Sequence, residues 1–154
     1  MSRTAGGVPT TYVPDEDHVL RHVPKRAVEW DAEDPTVAKG FLYAAFTLRD
    51  GESELSSGWI EFPEHQGSFD EKLKQTKLAF HQALNIKKND RFALGNVGAI
   101  KGACQAFNVT VRITHEPDGD FTCHAAVRRF RDDNRLLLDL LASEAWAQMH
   151  TVAP

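Results

Sequence analysis

The chain has 154 residues, of which 42% are hydrophobic and 26% charged, and carries a formal net charge of -4. That is one domain's worth of ordinary globular composition, which excludes a disordered or fibrous chain. The acidic balance argues against a dedicated nucleic-acid binder, and the longest apolar run, Phe41 to Phe46, falls far short of the roughly 20 residues a membrane-spanning helix needs.

Residues 1–16 hold two glycines and two prolines without periodicity and read as a flexible N-terminal arm. No apolar stretch follows the first basic residue, so a secretory signal is not expected. Residues 17–154 form a single domain on this reading. His18 to Val23 is a short strand stopped by Pro24. Val37 to Leu48 and Glu54 to Phe62 read as two strands of one sheet, joined by the turn Arg49-Asp50-Gly51, although the first could be a helix. Gly58 inside the second marks a bulge or a close backbone approach.

Ser68 with Glu71 three residues on is a capping box, and Phe69, Leu73, Phe80 and Leu84 recur at helical spacing, which predicts a helix over 69–84. Arg91 to Leu94 is a strand, and Asn96 then opens a helix with Val97, Ile100, Cys104 and Phe107 on one face. Gly98 and Gly102 each cost that helix about 1 kcal/mol relative to alanine, so close packing is expected at both. Val109 to His115 and Phe121 to Val127 alternate around turn-forming Glu116-Pro117-Asp118-Gly119-Asp120, a β-hairpin. Asp132-Asp133 caps a last helix running to about Met149, whose apolar residues cover more than half its circumference. The sum is an α+β fold, one mostly antiparallel sheet with about three helices packed on one side.

Chemistry concentrates in four places. With residues 116–120 as the hairpin loop, Arg112 falls across from His124 and Arg128 lies further along the same face. An Arg-His-Arg row of this kind suits an anionic ligand, with His124 as general acid or base; the ordinary alternative is a solvated sheet face. In a strand, His18 and His22 share one face while Arg21 points to the other. A neighbouring carboxylate would orient either imidazole for catalysis. Leu55-Ser56-Ser57-Gly58-Trp59-Ile60-Glu61 offers hydroxyls and the Glu61 carboxylate, though not the G-x-S-x-G pattern, and a bulged strand accounts for it equally. Asn96 at a helix start is a weak phosphate cradle beside its simpler role as a cap. The basic run Arg128-Arg129-Phe130-Arg131 has too few aromatics for stacking on single strands. His65, His81 and His150 carry no assignment.

No metal site and no cofactor are expected, since no H-E-x-x-H or Cys/His array is present. Cys104 and Cys123 lie far apart and read as small buried hydrophobes in a reduced compartment; a bacterial, cytoplasmic protein is the expectation. Three functions compete. The first is a non-catalytic, regulatory or accessory interaction module, docking a protein partner or a second copy through Leu137, Leu141, Trp146 and Met149 of the last helix. The second is a small enzyme acting on a phosphorylated or nucleotide-like ligand, with His124, His18 and Glu61 as catalytic groups and Arg112, Arg128, Arg21 and Asn96 as ligand-binding ones. The third is a nucleic-acid binder.

Overall fold

The computed structural model describes residues 2–3 and 9–154. Among the described residues the strands are β1 (Ser2–Arg3), β2 (Pro9–Tyr12), β3 (His18–Val23), β4 (Val28–Trp30), β5 (Ala38–Phe41), β6 (Leu55–Trp59), β7 (Arg91–Asn96), β8 (Arg112–His115), β9 (His124–Arg128) and β10 (Gln148–Thr151). Three α-helices are α1 (Phe69–Ala83), α2 (Val97–Ala106) and α3 (Arg135–Leu140), the last continued by one π-helical turn over Leu141–Ala145. The main sheet runs β1-β2-β8-β9-β6-β3-β7-β10, antiparallel throughout, and β4 and β5 pair separately. This is the α+β class that the alternation of elements predicts. No helix of the described residues is long and apolar enough to cross a membrane.

Two glycines show how the layers stack. Val19 of β3 pairs with both Trp59 and Gly95, while the next residue, Leu20, pairs with Gly58, so the two glycines point to opposite faces. A Cβ on Gly58 would lie 2.9 Å from Thr76 and Phe80 of α1, and one on Gly95 would lie 2.7 Å from the Trp146 ring. Helix α1 therefore covers one face, and the end of the α3–π helix covers the other, with α2 against it. The three helices are divided between the faces rather than gathered on one.

Local signals hold where they are strong. The α1 capping box is complete, with Ser68 and Glu71 bonding reciprocally. Asn96 caps α2 by accepting from the Ala99 amide. Gly98 lies against the Asp15 carbonyl, 3.2 Å from a hypothetical Cβ, but Gly102 has nothing within 4 Å, so close packing explains only the first. Of the expected arm, Pro9–Tyr12 is strand β2 beside β8 and Val13 is buried; residues 1 and 4–8 lie outside the described residues.

Three expectations are corrected. Val37 to Leu48 does not pair with Glu54 to Phe62: Ala38–Phe41 joins β4, and Tyr43–Phe46 closes into a 3₁₀ turn. The carbonyls of Ala45 and Thr47 accept from buried Arg21, a duty incompatible with a sheet ladder there. The last helix starts from Asn134, whose side chain accepts from Leu136 and Leu137, while Asp132 instead accepts from the Leu48 amide. It ends at Ala145, so Met149 belongs to strand β10.

The third correction concerns the proposed docking face. Leu137, Leu141 and Trp146 are fully buried inside this chain, and Met149 packs partly buried against the core. Trp146 stacks on Phe46 at 5.1 Å and donates to the Ala93 carbonyl at 3.0 Å. Most of the wide apolar circumference is thus consumed internally, with Leu136 left exposed.

Because the Gly95 Cα sits under the indole, Gly95→Ala forces Trp146 to move. Such overpacking typically costs about 1–3 kcal/mol, and urea unfolding is expected to show a lowered midpoint with unchanged slope.

Candidate active site

On the face that α1 covers only in part, strands β6, β9 and β8 lie side by side with Ser56 opposite Ala126 and Ala126 opposite Thr114. His124 sits opposite Gly58, two residues along each strand, so its imidazole stands diagonally beside Ser56 on the same face. The Ser56 hydroxyl is 2.7 Å from His124 Nε2, and His124 Nδ1 is 2.8 Å from the Glu116 carbonyl. A carbonyl only accepts, so Nδ1 carries a proton, and in the neutral imidazole Nε2 therefore accepts from the Ser56 hydroxyl. Both side chains are half-buried. The Phe121 ring stands edge-on to the imidazole at 5.3 Å and also lines a hollow of about 260 Å³ with Gln82, Asp118 and Asp120.

Main-chain geometry at Ser56 is held by a buried ion pair. Arg21 is fully buried, and all five of its N–H donors are engaged: Nε to Ala45 O, Nη1 to Ser56 O and Glu52, and Nη2 to Thr47 O and Glu52. Glu52 in turn accepts from the Ser56 amide at 3.2 Å and the Arg49 amide at 2.8 Å. The Arg21 charge and these donors hold the Glu52 carboxyl below its ordinary range despite burial. Arg21 is accordingly a structural cation and has no donor left for a ligand.

The other sequence candidates separate. The hairpin register is shifted by four from the expected one: Arg112 faces Arg128, not His124. A tight turn closes at Asp118 and Phe121 with Gly119 at φ 57°, and Phe121 folds under α1 against Phe80, leaving 121–123 outside the ladder. A shift by an even number keeps every side chain on its expected face. Arg128 is held bidentately by Glu116, with Glu54 at 3.6 Å, and Glu116 is kept ionised below the usual carboxylate range chiefly by those Arg128 hydrogen bonds. Arg112 is exposed. Asn96 spends its amide on the carbonyls of Asp15 and Asp17.

His18 and Glu61 do meet. Glu61 accepts from His18 Nδ1 at 2.5 Å and from the His18 amide at 2.8 Å, the carboxylate-oriented imidazole expected of one of these histidines. They form no joint site with His124. Strand β6 lies between β3 and β9, a separation of roughly 10 Å across two strand spacings, and no residue bonds to both imidazoles. His22 donates through Nε2 to buried Asp90 at 2.8 Å, and its Nδ1 is buried without a partner. Both thiols are buried, which pushes Cys104 up to about 11 and Cys123 up to about 12 and disfavours the nucleophilic thiolate. Among the described residues no three His, Cys, Asp or Glu side chains gather as metal ligands.

Sequence reasoning named His124 and quoted Ser56 without joining them. The missing signal was strand order, because β6 and β9 are neighbours only after residues 60–123 have looped out to build β7, β8 and two helices. Compared with known proteins, the chain matches no family model, no curated protein and no solved structure.

Two predictions follow from the buried charges. Arg21→Met strands Glu52, itself mostly buried, and breaking such a pair costs about 3–5 kcal/mol; guanidinium unfolding should show that loss, and Arg21→Met/Glu52→Leu should regain part of it. His22 and His150 have pKa values lowered mainly by burial, the latter also by Lys77. Below the ordinary value of 6.5 the unfolded chain takes up protons that the folded one refuses. Stability is therefore complete above that pH and declines as pH falls beneath it. Tm should drop between pH 7 and 5, and His22→Gln/His150→Gln should flatten the drop.

Proposed function

We infer that the chain is a small serine-dependent hydrolase or acyl-transfer enzyme, with Ser56 as nucleophile and His124 as its base. The observation that carries this reading is the chain of two hydrogen bonds from Ser56 Oγ through His124 to the Glu116 carbonyl. Nucleophile, base and orienting acceptor stand within bonding reach, and the acceptor selects the tautomer whose Nε2 lone pair faces the hydroxyl. In the first half-reaction Ser56 Oγ bonds to an acyl carbon as its proton passes to Nε2, and the imidazolium returns that proton to the departing alkoxide or amine. In the second, His124 deprotonates water, which attacks the acyl-serine and restores the free hydroxyl. Only backbone faces Nδ1, so the orienter is a dipole rather than a carboxylate. That arrangement suits activated acyl groups such as esters and thioesters better than amides.

The interaction-module reading drew on Leu137, Leu141 and Trp146 of the last helix, which are spent on this chain's own core, and on Met149, which packs partly against it. The enzyme reading gains a partner for His124.

Incubation with a fluorophosphonate, read by peptide mass spectrometry, should place one adduct on Ser56. Hydrolysis of p-nitrophenyl acetate should vanish in Ser56→Ala and fall about 10²–10⁴-fold in His124→Gln, the usual worth of a positioned base. An unlabelled Ser56, or a His124→Gln variant as fast as wild type, sinks the reading.

A further inference from the structure

Glu116 lies just past the end of β8, yet its amide, its carbonyl and both its carboxylate oxygens are all hydrogen-bonded. Its amide donates to the His124 carbonyl at 2.8 Å. Its carboxylate takes Arg128 bidentately, Nη2 to Oε1 at 2.5 Å and Nε to Oε2, and accepts from the Thr114 hydroxyl at 2.5 Å. Its carbonyl receives the His124 Nδ1 proton.

We propose that Arg128 is a positioning residue for the Ser56–His124 pair, acting through Glu116; the proposal rests on the serine-enzyme reading above. Arg128 and His124 are four residues apart on β9 and so share a face. The strand thus supplies both ends of a closed circuit: His124 to the Glu116 main chain, Glu116 carboxylate to Arg128, and Arg128 back along β9 to His124. With the carboxylate anchored as well as the amide, the Glu116 carbonyl is aimed at one ring nitrogen. Without the carboxylate anchor, the single amide bond to the His124 carbonyl holds the residue at the start of its loop, the carbonyl can turn about it, and the imidazole is free to take the Nε2–H form, which cannot accept the Ser56 proton.

The surroundings argue for this role over anion capture. Arg112 stands directly across from Arg128, a like-charge pair that is unfavourable on adjacent strands. Glu116, with Glu54 at 3.6 Å, offsets that repulsion and occupies the Arg128 fork. A bidentate fork fixes angle as well as distance, which a single ammonium contact does not.

The test is ¹⁵N NMR of the imidazole nitrogens, with the rate of fluorophosphonate labelling at Ser56 as a second readout. Wild type should show His124 as the Nδ1–H tautomer. Arg128→Gln, folded by circular dichroism, should show a mixture with Nε2–H, and labelling should slow at least about tenfold. Arg128→Lys, which keeps the charge and loses the fork, should fall between. Should Arg128→Gln fail to fold, Glu116→Gln keeps the carbonyl and removes the ion pair, and its imidazole spectrum decides. Unchanged His124 nitrogen shifts in a folded variant, or an Nε2–H form in wild type, overturn the proposal while leaving labelling of Ser56 to stand by itself. A shifted tautomer with Ser56 inert in every variant upholds the relay and removes the enzyme reading instead.

Discussion

A guanidinium in the middle of the sheet constrains this fold more than any other group. Arg21 has no solvent contact, so its charge and all five donors must be satisfied by the protein. The acceptors come from the Ala45 and Thr47 carbonyls, the Ser56 carbonyl and Glu52. Supplying them dictates the path of residues 45–56. An apolar run that would otherwise continue a strand turns its carbonyls inward, and the chain re-enters the sheet as β6 beside β3. Geometry at Ser56 is a by-product of that solution, since Glu52 and Arg21 between them bind both its amide and its carbonyl.

The opposite face repeats the logic with a surface pair. Arg128 and Glu116 are partly exposed, and their attraction by itself contributes little to stability. What the pair supplies is direction, because a bidentate contact at the end of β8 turns a loop carbonyl toward His124. The two charged networks differ in kind: one is deep and stabilises the sheet only because it is complete, the other is shallow and organises a side chain. On the face of the second lies the row Ser56, Ala126, Thr114, whose outer hydroxyls bond to His124 and Glu116 respectively.

Tight packing limits what surfaces are left. The end of the last helix seals one face through Trp146 on Gly95, and α1 seals part of the other through Phe80 and Thr76 on Gly58. A strongly apolar helix is often a partner-seeking one, but here the π-helical turn at Leu141–Ala145 swings Trp146 down into the core and hands the chain to an edge strand. Apolar circumference measures how much a helix must bury and is silent on what buries it.

Much of this protein was legible from residue order alone, and for a common reason. Local signals act within a few residues: the Ser68–Glu71 box sets the start of α1, Asn96 sets that of α2, Pro24 ends β3, and period-two alternation assigns faces in β8 and β9. Those assignments survive a four-residue register shift because the alternation has period two. Even the singling out of His124, His18 and Glu61 needs only residue chemistry. Strand order, register and the company each side chain keeps were decided by the tertiary structure. Arg21 reads as a ligand-binding residue until a buried sheet position requires every donor, and Arg128 reads as one until Glu116 reaches it. Ser56 and His124, 68 positions apart, become a pair only when the burial of two helices on opposite faces brings β6 against β9. Contacts that close loops of this length are settled by the packing of the whole chain, and no local pattern encodes them.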